Sequence, residues 1–271
     1  MADPIQMVRS RAHLKRVRGG RDGLYPFLEH NTWDMVHYFD DFLGDEIRGS
    51  GATPGVYEVN TGDDGAINIL ADQTNGVAEI RASDGAGSDN EYCGIALPEL
   101  NWTAEQNAVM ACRLAIDTIT TVKVEVGFTD VTTDNGAVNV LATPNATASD
   151  SALWVFDTDD TAYWQNVGIK NGTLPAKIED GLAPTAGTFE TLIVALRDTN
   201  AKFLRLDANG NLTYESAWMT DAITAADKLC PWIFIQLRTG SIDRNLQVDY
   251  IDVRQRRTTS YPTPLYCRNR G

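Results

Sequence analysis

The chain has 271 residues, 43% of them hydrophobic, with 22 Gly and 10 Pro; this suits one turn-rich domain with its own core and excludes a disordered or fibrous chain. Its longest wholly aliphatic run, Leu192 to Leu196, falls far short of the roughly 18 residues a membrane-spanning helix needs. The formal net charge of −14 repels phosphate at long range, so neither a membrane nor nucleic acid is an expected partner.

Residues 1–34 show no helical or strand period, and Gly19-Gly20 and Asp22-Gly23 break whatever Val8 to Val17 begins, so they read as an arm. No apolar stretch of signal-peptide length follows the first basic residues, and no secretory leader is expected. The arm holds Arg9, Arg11, Lys15, Arg16, Arg18 and Arg21 against Asp3 and Asp22. The far end, residues 255–271, is a second basic tail with Arg256, Arg257, Arg268 and Arg270 and no acid. Short basic arms on an acidic body more often grip an acidic protein neighbour, or simply solvate a terminus, than read nucleic acid, and these ten residues are the candidate partner-binding set.

From residue 35 the pattern changes to short β-branched and aromatic runs punctuated by Gly, Asn, Asp, Thr and Pro. In chain order the predicted strands are Val36–Phe42, Gly55–Val59, Ala66–Leu70, Val77–Ala82, Tyr92–Leu97, Ala108–Ile116 and Val122–Thr129. They continue with Ala152–Asp157, Tyr163–Lys170, Thr188–Arg197, Lys202–Asp207, Leu212–Glu215, Trp232–Arg238 and Leu246–Arg254. So many short strands predict an all-β antiparallel sandwich over residues 35–254, flanked by the two arms. In Val122-Lys123-Val124-Glu125-Val126 the alternation predicts a strand with one wet face. Leu192 to Leu196 is apolar on both faces and predicts an inner strand, and Asn209-Gly210 supplies the tight turn of a hairpin within 188–215. Asp221 to Leu229 is the one segment expected to be helical, with Asp221 as its cap.

The aspartate-rich loops more often form Asx-turns that keep a surface soluble, but they also offer oxygen ligands, and Asp157, Asp159 and Asp160 are the best calcium candidates, although no loop has an EF-hand pattern and no cofactor or metal is required. His13, His30 and His37 all precede or open the first strand, which leaves no rigid platform for a nucleophile and base; no Glu-x-Asp-x-Glu run is present for glycan hydrolysis. No catalytic residue is assigned, and the chain is expected not to be an enzyme. Trp102, Trp154, Trp164, Trp218, Trp232, Tyr163 and Tyr214 could stack on sugar rings, or pack inside the sheets. Cys93, Cys112, Cys230 and Cys267 are widely spaced, and the first three lie in or beside apolar runs, so they are expected to be buried thiols.

Six segments carry a family resemblance: Tyr38-Phe39-Asp40-Asp41-Phe42-Leu43-Gly44-Asp45, Asn101-Trp102-Thr103-Ala104, Val122 to Asp130, Trp164-Gln165-Asn166-Val167, Ala183 to Phe189, and Val248 to Gln255. Their succession, over about residues 36–256, resembles the concanavalin-like, laminin-G-like jelly-roll domains in structural proteins of tailed bacteriophages. The resemblance implies a virion structural protein, made in the host cytoplasm and attached as a capsid decoration or accessory protein to the major capsid protein or other virion subunits. A homo-oligomer or symmetric array in the particle would follow. The alternative it implies is a carbohydrate-binding, lectin-like adhesin of a tail or cell surface that takes host-surface glycan; a polysaccharide-active jelly-roll enzyme is the third. No active site carries over, and the lectin calcium-and-asparagine sugar site has no visible match.

Overall fold

The computed structural model describes residues 35–43, 57–71, 73, 75–86, 89–97, 101–142, 145–174 and 177–257. The arm residues Arg9, Arg11, Lys15, Arg16, Arg18 and Arg21, the tail residues Arg268 and Arg270, and His13, His30 and Cys267 lie outside them.

In chain order the strands are β1 (Met35–Asp40), β2 (Glu58–Thr61), β3 (Ala66–Ile69), β4 (Ala78–Ser83), β5 (Tyr92–Ala96) and β6 (Val109–Ile116). Next come β7 (Val122–Thr129), β8 (Val138–Val140), β9 (Asn145–Ala146), β10 (Ser151–Asp157), β11 (Trp164–Ile169) and β12 (Lys177–Glu179). The last are β13 (Glu190–Arg197), β14 (Asn200–Leu206), β15 (Leu212–Glu215), β16 (Cys230–Leu237) and β17 (Arg244–Arg256). An eight-stranded sheet runs β15-β14-β13-β6-β17-β4-β3 with β1 on the far end of β17, and a seven-stranded sheet runs β12-β11-β10-β7-β16-β5-β2. Every pairing is antiparallel, and β8-β9 form a separate hairpin. The chain is thus the all-β sandwich that its two-residue periods predict.

The core lies between the sheets. Even-numbered residues of β6 and β13 (Met110, Cys112, Leu114; Leu192, Val194, Leu196) meet Val124, Val126 and Phe128 of β7 and Trp154 and Phe156 of β10. Trp154 makes edge contacts with Phe203 and Tyr214 at 5.7 and 5.6 Å between centroids, and its indole N–H donates to the Ile193 carbonyl at 3.0 Å. A buried indole is favourable only when that N–H is satisfied. At β17 the register slips between Val248 and Tyr250, and the carboxylate of Asp249 at this bulge pairs with Arg113.

Three expectations are corrected. Residues 221–229 form turns and no helix: Asp221 has φ 57°, which a helix N-cap does not adopt, while Ala222, Ile223 and Leu229 turn into the core and Leu229 bridges Trp102. The strands β8, β9 and β12 were not expected, because two or three residues cannot display a period. The outer face of β7 is dry: Lys123 and Glu125 are both fully buried. The hairpin within 188–215 is present, with Gly210 at φ 80° and Asp207 Oδ1 accepting the backbone N–H of Asn209 and Asn211.

Cys93, Cys112 and Cys230 are buried thiols, and burial raises the Cys230 pKa to about 12. A maleimide probe is therefore expected to leave these three unmodified in the native protein and to reach them only after unfolding; rapid native labelling at any of them, located by peptide mass mapping, would contradict the packing.

Candidate binding site

The two outer sheet faces offer different chemistry. On the seven-stranded sheet, the segment that links β7 to β10 folds back over the outward side chains of β7, β10, β11 and β16. It buries Ala137, Val138, Leu141 and Ala148 against Leu153, Val155, Val167, Ile169, Trp232 and Phe234. Residues 132–141 have little ladder of their own, so side chains from the sheet satisfy their backbone. The Lys123 ammonium donates to the carbonyls of Asn135 (2.6 Å) and Val138 (2.5 Å) and lies 3.0 Å from Glu125 Oε1. Glu125 accepts the backbone N–H of Ala137 (2.8 Å) and Val138 (3.0 Å) and the Trp232 indole N–H (3.1 Å). Asn60, Gln236, Arg238 and Lys177 donate to the carbonyls of Thr132, Asp134, Asn139 and Leu141.

Two glycines make this roof fit. A Cβ on Gly94 would fall 2.3 Å from the Trp232 ring, and one on Gly136, at φ 68°, would fall 2.6 Å from the Glu125 carboxylate. Burial pulls the Lys123 pKa down, and the Glu125 carboxylate opposes that pull. This face is therefore filled by the chain itself, and its one buried carboxylate on β7 is committed to roof amides and an ammonium.

The calcium candidates stand in the β10–β11 turn at the edge of the same face. Asp157 is buried and holds both forks of Arg238, with Nε at 2.8 Å from Oδ1. Asp159 reaches the same guanidinium at 3.7 Å, and Asp160 takes Lys177 and the Gln165 amide. The structure brings the three together, but two cations already lie among them, and the arrangement is a set of ion pairs rather than an open cage of oxygens. Among the described residues no three His, Cys, Asp or Glu side chains are grouped to hold a metal. His37 pairs with Asp252 at 3.1 Å at the rim of the eight-stranded sheet.

Of the seven aromatic candidates, Trp102, Trp154, Trp164 and Trp232 are buried and Tyr214 is half-buried with its hydroxyl on Asn166. Tyr163, 38% exposed, and the half-buried Trp218 are left for contact with a ligand. Trp218 lies on the outer face of the eight-stranded sheet, against the cluster of Val109, Ala111, Ile193, Ala195, Leu204 and Leu206. The Ala201–Met219 bridge sets it beside Lys202, whose ammonium is 5.9 Å from the ring centroid, while the Arg197 guanidinium lies over the ring at 4.7 Å. Sequence reading singled out Trp218 but not Arg197 or Lys202. The latter two meet it only through the pairing of β13 with β14, which no local period displays.

Arg256 and Arg257 are exposed at the end of β17, and Arg257 Nε donates to the Met35 carbonyl at 3.0 Å. Because Met35 pairs with Arg256, residues 1–34 and 258–271 join the sandwich at neighbouring points.

No known protein family and no curated protein matches the sequence. Solved structures do match. A protein of unknown function from Shewanella oneidensis MR-1 is 13% identical with a TM-score of 0.62, over 85% of this chain and 90% of that one. A seed lectin of Lotus tetragonolobus is 9% identical with a TM-score of 0.53, over 82% of this chain and 100% of the lectin. The fold is that of a lectin-like jelly roll. A third match comes from members of the human gut microbiota that express endo-acting O-glycanases, at 8% identity and a TM-score of 0.53, over 80% of this chain and 98% of that one. At such identities the likeness is one of architecture, so what this jelly roll binds has to be argued from its own side chains.

Proposed function

We propose that this jelly roll is a non-catalytic carbohydrate-binding module. The observation that carries the reading is that the sandwich covers a whole seed lectin chain while leaving a half-buried tryptophan, flanked by two cations, on an outer sheet face. A ring with an apolar face and polar neighbours is what sugar recognition uses, since the pyranose stacks and its hydroxyls bond to the surround. The commitment of Glu125 to roof amides supports the non-catalytic part, because hydrolysis of a glycosidic bond needs a pair of carboxylates free to face substrate. A glycan array probed with the full chain is the test. Retention of defined glycans, reduced at least tenfold by Trp218→Ala with an unchanged unfolding midpoint, is the expected result. No retained glycan, or cleavage of one, would overturn it.

A second reading, a capsid decoration or accessory protein of a tailed phage, is favoured by the convergence of the two basic ends at Met35 and Arg256. Eleven Lys and Arg of residues 1–22 and 254–271 then attach at one place on a body that is otherwise acidic. Two short tethers leaving one point act on a partner with a raised effective concentration. On this reading, deletion of residues 1–22 leaves the melting temperature unchanged but weakens attachment to particles, and attachment falls as salt rises, since exposed charges are screened over about 8–10 Å near physiological ionic strength. Co-sedimentation with purified particles at two salt concentrations decides it, and unchanged attachment after the deletion would reject the role of the arm.

A further inference from the structure

We propose that Asp150 and Asp227 form a proton-operated latch: a proton shared between them fastens the turn at residues 224–229 to the start of β10, and its loss frees the turn as pH rises. This does not depend on what the sandwich binds.

Asp150 stands just before β10 and is 1% exposed. Among the described residues the other buried acids, Glu125, Asp157 and Glu190, are each paired with a cation. Asp150 is held by backbone instead: Oδ1 accepts the Thr224 N–H at 2.6 Å and Oδ2 the Asn171 N–H at 3.5 Å. The turn that starts at Thr224 closes at Asp227, whose N–H donates to the Thr224 carbonyl at 3.3 Å. This places the Asp227 carboxyl in hydrogen-bonding contact with Asp150. A carboxylate is an acceptor only, so two carboxyls share a hydrogen bond when one of them keeps its proton. Asp150 already accepts backbone N–H groups in a dry place, whereas Asp227 is half-buried and exchanges with water; the proton therefore resides on Asp227.

The groups around this corner reinforce the need for a proton. From the end of β7, Asp130 donates its N–H to the Asp150 carbonyl at 3.1 Å and accepts the Ser149 N–H on Oδ1 at 3.1 Å. Glu105 donates its N–H to the Ala225 carbonyl at 3.1 Å and is exposed. Lys170, beside Asn171, is taken by Asp221; Lys228 is exposed; and Cys230 is a buried thiol. The Asp227 pKa accordingly lies above the ordinary aspartate value, first through its hydrogen bond to Asp150, then through burial and the charges of Asp150 and Asp130. A carboxyl whose pKa rises on closing stabilises the closed turn at acid pH, and that contribution is lost as pH rises through the closed-state value. Ile223 and Leu229 stay anchored in the core on either side, so the opening is confined to the turn.

The test is hydrogen exchange of the full chain at about pH 5 and about pH 8, read as protection factors so that the intrinsic pH dependence of exchange is removed. The amides of Thr224 and Asp227 should be better protected at the acid value, by about tenfold for each unit by which closure raises the Asp227 pKa. Those of β13, in the middle of the other sheet, should be protected alike at both. Asp227→Asn, whose side-chain amide donates to Asp150 at any pH, should show the acid-like protection at both values, and Asp227→Ala the weaker protection at both. Thr224 and Asp227 amides equally protected at the two pH values in the wild type would overturn the latch. So would a pH dependence that survives in Asp227→Asn, since the titrating group would then lie elsewhere.

Discussion

Replacing Glu125 with alanine is expected to lower the unfolding free energy by about 3–5 kcal/mol, the usual cost of removing one partner from a buried ion pair. The loss has three parts. The Lys123 ammonium would remain fully buried with only the Asn135 and Val138 carbonyls. The amides of Ala137 and Val138 would lose their acceptor beneath the roof, and so would the Trp232 indole. Urea unfolding of the variant should show a lower midpoint with little change in slope, and hydrogen exchange should rise first in residues 132–141, whose backbone depends on these side chains. The double variant Lys123→Met with Glu125→Gln should recover part of the deficit, because it removes both charges and keeps an acceptor oxygen near the roof amides. A Glu125→Ala protein within about 1 kcal/mol of the wild type would mean that water reaches this pair and that the roof opens readily.

The same pair shows where sequence reading stops. The alternation in Val122 to Val126 placed Lys123 and Glu125 correctly on the face away from the inter-sheet core, since successive side chains in a strand must point to opposite sides. It could not say what covers that face, because the cover comes from a segment with almost no period of its own, and the bonds that hold it join residues up to 102 apart. The strands long enough to show alternation were legible, along with the Asn209-Gly210 turn, for the same local reasons. Asp221 to Leu229 misled because Ala222, Ile223 and Leu229 can be read as one helical face, whereas they enter the core from successive turns. At the candidate site, Trp218 was visible as an aromatic residue, but its cations were not. At the β10–β11 turn the aspartates were visible as oxygen ligands, but Arg238, 81 residues from Asp157, was not visible as their partner.

Replacing Arg205 with alanine is expected to cost a similar amount, about 3–5 kcal/mol near neutral pH, and to do so in a pH-dependent way. Arg205 projects from β14 between the sheets, with its Nε on Glu190 and its Nη atoms on the Asp180 carboxylate (2.6 Å) and the carbonyls of Leu182 (2.6 Å) and Ala183 (3.1 Å). Glu190 also takes the Trp164 indole N–H at 2.7 Å, so one guanidinium ties the edge of the aromatic core to the 180–183 loop. Burial raises the pKa of both carboxyls above their ordinary values, and Arg205 opposes that rise. Without the arginine both should rise further. A carboxyl whose pKa is raised in the folded protein binds more protons there than in the unfolded chain, so its contribution to stability is present at acid pH and is lost as pH rises through the folded value. The variant should therefore lie closer to the wild type at about pH 5 than at about pH 7.5. Urea unfolding of both proteins at the two pH values measures this directly, with Arg205→Lys as an intermediate, since an ammonium keeps the charge but cannot reach both carboxylates and both carbonyls. A deficit that is equal at both pH values would show that the loss comes from packing and the severed loop, and that the two carboxyls remain solvated.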